Sequence, residues 1–337
     1  MSEFERAAQA LHALGLVVRD CLRSEKRKPS NKRTAIAKVE ASDIIYQIDT
    51  VSEAVILEWF SREWTDLPPV RLVMEGAESE GQLIYPTMDQ SPEWICLIDP
   101  IDGTRGIMYD KRSAWFIAGI APIAKNKEPS TEDIVVSVLV ELPTSKAGYA
   151  DSFYAIKGCG LDGVFGERIQ LFTGEKGPLK PSPYQGTDIT HGFFSFAKFF
   201  PEGRLTLTRL EIELIDSIHG LTESGSPVIF DDQYMSTGGQ FYEILMGHDR
   251  AIIDARREVY MAEGLDNILT CHPYDIGAWL ILEESGCIIE RPDGGPLDFR
   301  VNTTEAVSWA AYANPQLAFH IRPVLKQLLK KLRKASS

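Results

Sequence analysis

A break in patterning at residues 173–186, TGEKGPLKPSPYQG, constrains the fold of this chain more than any other feature. A stretch so rich in Gly, Pro and Lys interrupts regular structure and marks a lobe boundary. Before it, apolar residues recur at helical spacing over residues 7–21 and again over 52–64. Runs rich in strand-forming residues follow at 70–74, 94–98, 115–120, 134–140 and 153–156. Helices followed by a run of strands predict an α+β lobe over residues 1–178. After the break, helical patterns at 236–247, 275–285 and 316–334 alternate with short extended runs at 251–253 and 287–289, predicting an α/β lobe over 179–337. A length of 337 residues suits two such lobes.

Charge and cysteine usage narrow the partners. The net charge of −13 argues against binding a nucleic-acid polymer or an anionic membrane surface. The longest apolar run, residues 114–124, is short of the roughly 20 residues that cross a bilayer. Five cysteines without a CxxC pair suggest neither a disulfide framework nor a zinc ribbon, and the expected compartment is the reducing cytoplasm. The first 20 residues, with acids before an apolar stretch broken by His12, are unlike a secretory signal. The basic segment RSEKRKPSNKRT reads either as a solvated loop or as a lid over an anionic site.

The segment LIDPIDGT, residues 97–104, carries the chemistry. An apolar strand delivers Asp99 to its end, Pro100 fixes a bend, and Asp102 presents a second carboxylate. Gly103 permits a close backbone approach and Thr104 adds a hydroxyl. Hard oxygens in this arrangement suit Mg²⁺, although the same pattern also describes a capped turn. A helix beginning at Gly103 would aim its first N–H groups at a phosphate. Glu75 follows the run VRLVM as Asp99 follows its own strand, so neighbouring strands could bring both acids to one sheet edge. Asp275, in CHPYDIGAWLILEESG, is either the cap of a helix or a further ligand. Four carboxylates this close repel by roughly 4 kcal/mol per pair at an effective dielectric of 20, which bound cations offset.

The strand-end acid, DPIDGT and YDIGA, in this order, resemble the metal-dependent phosphatase superfamily of inositol monophosphatases, fructose-1,6-bisphosphatases and bisphosphate nucleotidases. Lys38, Asp43 and Asp49 in KVEASDIIYQID keep the family's spacing, and the resemblance covers roughly residues 5–315. It implies a layered α/β/α/β/α sandwich with the site between two lobes. It further implies two to three Mg²⁺ ions held by Glu75, Asp99, Asp102, Asp275 and the backbone carbonyl of Ile101. Asp49 and Thr104 match the pair that orients the attacking water, the N–H groups of Gly103 and Thr104 match the phosphate cradle, and Lys38 matches a lysine near the most exposed ion. The implied reaction is hydrolysis of a small phosphate monoester on an inositol or sugar. A bisphosphate nucleotidase, a fructose-1,6-bisphosphatase or a metal-binding regulatory protein of the same fold are the alternatives. A homodimer and lithium inhibition are also implied.

The chain departs from the family in several places. Gly76 stands where a second acid usually follows Glu75, so the ligand could also be Glu78. Tyr46 replaces a threonine, Tyr274 replaces a tryptophan, and RGIMYDKRSAWF lacks the usual asparagine-aromatic continuation. GCGLDG at 158–163 formally matches a dinucleotide fingerprint, but a glycine-rich turn between strands fits better. Of the six histidines, His272 alone lies near a candidate ligand. Arg204, Arg209, Arg256 and Arg257 are candidates for a second phosphate site, although Arg256 and Arg257 read better as a surface pair.

Overall fold

Two consecutive strands whose residues are buried along nearly their whole length form the centre of the molecule. A computed structural model describes residues 1–25, 36–39, 44–77, 83–87, 89–125, 127–221, 227–266 and 268–335, with the backbone alone at 25, 36–39 and 44–50. The chain opens with helix α1 (Glu3–Glu25), the hairpin β1 (Ile36–Val39) and β2 (Ile44–Tyr46), and helix α2 (Gln47–Glu63). Strands β3 (Val70–Met74), β4 (Leu83–Tyr85), β5 (Trp94–Asp102), β6 (Ala114–Pro122), β7 (Val136–Leu142), β8 (Tyr149–Ile156), β9 (Phe165–Gln170) and β10 (Lys176–Pro178) follow, with short helices α3 (Thr104–Met108) and α4 (Gly160–Gly163) between them. The second half runs β11 (Gly192–Phe196), α5 (Arg204–Ile218), β12 (Ile229–Phe230), α6 (Thr237–Leu245), β13 (Asp249–Asp254), α7 (Arg256–Glu263), α8 (Trp279–Glu284), β14 (Ile288–Glu290), β15 (Trp309–Tyr312) and α9 (Pro315–Ala335).

Among the described residues the larger sheet has eight strands in the order β10-β9-β8-β7-β6-β5-β3-β4, and the smaller has five in the order β12-β11-β13-β15-β14. Helices α1 and α2 cover one face of the large sheet, α6 and α8 lie between the sheets, and α5, α7 and α9 close the far side. This is the α/β/α/β/α layering that the sequence implies. Along β6, Ala114, Phe116, Ala118 and Ile120 pack toward α1, whereas Trp115, Ile117 and Ala121 pack toward the middle helices. Both faces are covered, so the strand reads as a continuous apolar run rather than an alternating one. On α1, Ala7, Leu11, Leu14, Val18 and Leu22 recur every three or four residues and form the buried stripe.

Three local expectations shift. The stretch 173–186 contains the edge strand β10, paired antiparallel with β9. GCGLDG forms the single-turn helix α4, and the N–H groups of Gly158 and Gly160 both donate to the Glu284 carboxylate at 2.6 Å. A carboxylate of the chain itself therefore fills the anion position of that glycine loop. Helix α8 begins at Trp279 rather than at Asp275, with Ala278 as its N-cap.

Candidate metal centre

Register brings the first acids together. Strands β3 and β5 run parallel with Val73 opposite Leu97 and Met74 opposite Ile98, so Glu75 and Asp99 leave the sheet side by side. The Glu75 N–H donates to the Ile98 carbonyl at 3.3 Å and extends that ladder. On the other side of β5, Asp99 sits opposite Ile117 and Asp102 opposite Trp115, so three steps on β5 meet two on β6. A regular strand sends residues three apart to opposite faces. The bulge re-aims Asp102 toward Asp99.

The turn after the bulge is built from its own polar groups. The Ile101 N–H donates to Asp99 Oδ1 at 2.9 Å, and Thr104 Oγ1 donates to the Ile101 carbonyl at 2.9 Å. Gly103 caps α3 with φ 91°, a left-handed conformation, and a Cβ there would come within 2.8 Å of Ser236 Cβ. Ser236 is the N-cap of α6, and its hydroxyl accepts from the Gly239 N–H at 2.9 Å. It also donates to Asp102 Oδ2 at 2.7 Å, where the Gly238 N–H arrives at 2.5 Å. Asp102 thereby joins β5 to the start of a helix in the other half of the chain.

Asp275 arrives from a run of tight turns before α8, not as a helix cap. Its Oδ2 accepts from the His272 N–H at 2.5 Å. Ser137 on β7 donates to the Gly277 carbonyl at 2.7 Å and docks this turn on the large sheet. Oxygens of Asp99, Asp102 and Asp275 lie within 4.8 Å of one another. Glu75 lines the same cleft, and its charge reaches Asp99. His272 is buried at the cleft, stacked on Tyr274 with its Nδ1 3.9 Å from Asp275 Oδ2.

Electrostatics follow from crowding. Burial, then Glu75, Asp102 and Asp275, hold the Asp99 carboxyl well above its ordinary range. Burial pushes Asp102 up to about 6, opposed by hydrogen bonds from Ser236 and from the Gly238 and Thr237 N–H groups. Burial and then the charge of Asp102 push Asp275 up to about 7. Ionising such a group is uphill unless a cation compensates. Oxygen-only donors at this spacing fit a hard divalent ion.

Not every expected residue falls in the described cleft. Lys38 lies in β1 and Asp49 in α2, but their side chains, like Asp43 and Glu78 altogether, lie outside the described residues. Arg256 corrects the surface-pair reading. It is 5% exposed, lines the cleft and grips Asp254 through Nε at 2.9 Å and Nη2 at 2.6 Å, with its guanidinium 5.0 Å from the Phe199 ring centroid. Arg257 instead pairs with Glu258 at 3.0 Å. Phe199, Phe200, Ser236 and Glu53 also line the cleft without having been singled out. The Ser-Thr-Gly-Gly run ahead of an apolar helix was the available signal for Ser236.

No family model matches the sequence, and no curated protein matches it. Solved structures match its fold. Fructose-1,6-bisphosphatase from Leishmania major, in holo form, aligns with a TM-score of 0.64 at 14% identity over 97% of this chain and 93% of that one. Extragenic suppressor protein SuhB from Bartonella henselae gives 0.62 at 15% identity over 97% and 99%. Inositol monophosphatase from Anabaena (Nostoc) gives 0.58 at 15% identity over 98% and 97%.

Proposed function

We propose that this chain is a Mg²⁺-dependent phosphatase that hydrolyses a small phosphate monoester, an inositol or sugar phosphate, by attack of an activated water. The observation that carries the reading is the convergence of buried Asp99 and Asp102 with half-buried Asp275 beside the start of α3. The fold is shared with structures named as inositol monophosphatase and fructose-1,6-bisphosphatase.

Glu75, Asp99, Asp102, Asp275 and the Ile101 carbonyl would hold two to three ions. Bound there, Mg²⁺ supplies a Lewis acid that lowers the pKa of a water and stabilises the leaving alkoxide. The chain's own groups do the rest. Thr104 donates its hydroxyl proton to the Ile101 carbonyl, so in the water-orienting role assigned to it its oxygen acts as the acceptor. Asp49 is assigned as the second acceptor for that water, and Lys38 as a countercharge for the outermost ion. The N–H groups of Gly103 and Thr104 are assigned to the phosphate, since the first N–H groups of a helix lack acceptors within it.

One observation favours a second reading. Phe199 and Phe200, backed by the Arg256–Asp254 pair, give the cleft an aromatic wall, which suits the base of a bisphosphorylated nucleotide. The proposal extends to a cytoplasmic homodimer, which sedimentation of the purified chain tests.

Phosphate release from inositol phosphates, sugar mono- and bisphosphates and 3′-phosphoadenosine phosphates, with and without Mg²⁺, tests the function. A preferred substrate that is turned over only with Mg²⁺ supports it and selects the branch. No release from any of them, with Mg²⁺ still bound, would replace it with a regulatory, metal-binding role.

A further inference from the structure

The turn that carries Glu75 is short, and its backbone is tied at two points. The Glu75 N–H reaches Ile98 of β5, and the Ala77 N–H closes on the Met74 carbonyl at 3.3 Å. Between them Gly76 adopts φ 84°, a left-handed conformation that glycine takes without strain. The place a side chain would occupy at residue 76 is filled from another element. Glu53, on α2, sets its carboxylate against Gly76 so closely that a Cβ there would lie 2.6 Å from Glu53 Cδ and nearer still to Oε1. Glu53, Glu75, Gly76 and Asp99 all line the one cleft.

The side chain that meets Gly76 thus comes from α2 and belongs to an acid of the same cleft. We propose that Glu53 is a positioning residue: seated on Gly76, it fixes the turn that presents Glu75 to the cation-binding carboxylates. The assignment rests on the metal-site reading above. Helix α2, which lies against β5, then takes part in the site through a residue that need not itself hold the ion. Partners that orient a metal ligand matter nearly as much as the ligand.

Direct Mn²⁺ titration of the full chain, followed by calorimetry and electron paramagnetic resonance, tests this without reference to turnover. Glu53→Ala weakens Mn²⁺ binding about 10- to 100-fold, the usual cost of losing an orienting partner, while the thermal midpoint in chelator stays unchanged. Glu53→Gln, which keeps an acceptor oxygen, loses less. Wild-type affinity in Glu53→Ala overturns the proposal. So does a midpoint in chelator that falls in step with the affinity. Asp99→Asn is the control: if it binds Mn²⁺ as wild type does, the metal-site reading fails and this assignment with it.

Discussion

At 1% exposure and facing Glu75, Asp102 and Asp275, Asp99 is the residue on which the site turns. Replacing it with asparagine removes a carboxylate that a cation would need and keeps the shape. Phosphate release by Asp99→Asn is expected to fall by at least about 100-fold. Its thermal midpoint in chelator is expected to hold, since burial and the neighbouring acids already favour the neutral carboxyl when no cation is bound. Retained activity would reject the metal assignment. The acids that follow apolar strands were legible in the sequence as candidates, and the resemblance carried by DPIDGT and YDIGA, not the pattern alone, favoured a ligand role over a capped turn. Arg256 was not, because two adjacent arginines look solvated. Its partner Asp254 is only two residues away, but nothing in a linear pattern reveals that β13 buries it. The aromatic wall of Phe199 and Phe200 was hidden for the same reason: its meaning depends on what lies across the cleft.

Between residues and molecule, the elements explain how distant segments meet. Ser236 caps α6 and holds Asp102, so Ser236→Ala is expected to cost about 1–2 kcal/mol in urea unfolding and to weaken Mn²⁺ binding in the same variant. Unchanged stability would show that water replaces the hydroxyl at no cost. On α1, His12 is buried with Nε2 2.9 Å from Ser152 Oγ, and burial pushes its pKa down to about 4 from 6.5. The fold therefore excludes a proton that the unfolded chain accepts. The stability this neutral ring contributes is present above pH 6.5 and is lost as pH falls toward 4, on the order of 3 kcal/mol in all. Glu141 and Asp249, both pushed up to about 7 by burial, act with the opposite sign, so the test is a difference. The gap in urea midpoint between wild type and His12→Gln is expected to narrow or reverse from pH 7 to pH 4.5; a constant gap would reject the assignment. Helix and strand positions were largely legible, because the apolar periods are long. The late start of α8 was not, since the turns ahead of Trp279 keep a helix-like apolar spacing without its hydrogen bonds.

On the scale of the whole molecule, one apolar cluster runs from β5 and β6 through α6 and α8 into the small sheet and α9. The two sheets share that core, so calorimetry is expected to give a single transition. Two resolved transitions would show that the halves melt independently. A cation that binds only the folded chain raises the midpoint by mass action, by about 2.7 kcal/mol at a hundredfold excess over its dissociation constant. The midpoint is therefore expected to climb with Mg²⁺ in wild type and to stay level in Asp99→Asn. The layered architecture was legible through the resemblance that DPIDGT and YDIGA carry, whereas the patterns on either side of residues 173–186 predict only an α+β and an α/β lobe. The sharing of one core was not, because period and spacing say which residues are buried but not against which partner.

The acids of the site enter the chain far apart: Asp99 and Asp102 end β5, while Asp275 belongs to a turn near the start of α8. A ribosome that has extruded the large sheet has delivered two of the three converging carboxylates and neither Ser236 nor the turn that completes them. The growing polypeptide therefore cannot assemble this cluster of carboxylates until the segment that bears Asp275 has emerged and docked.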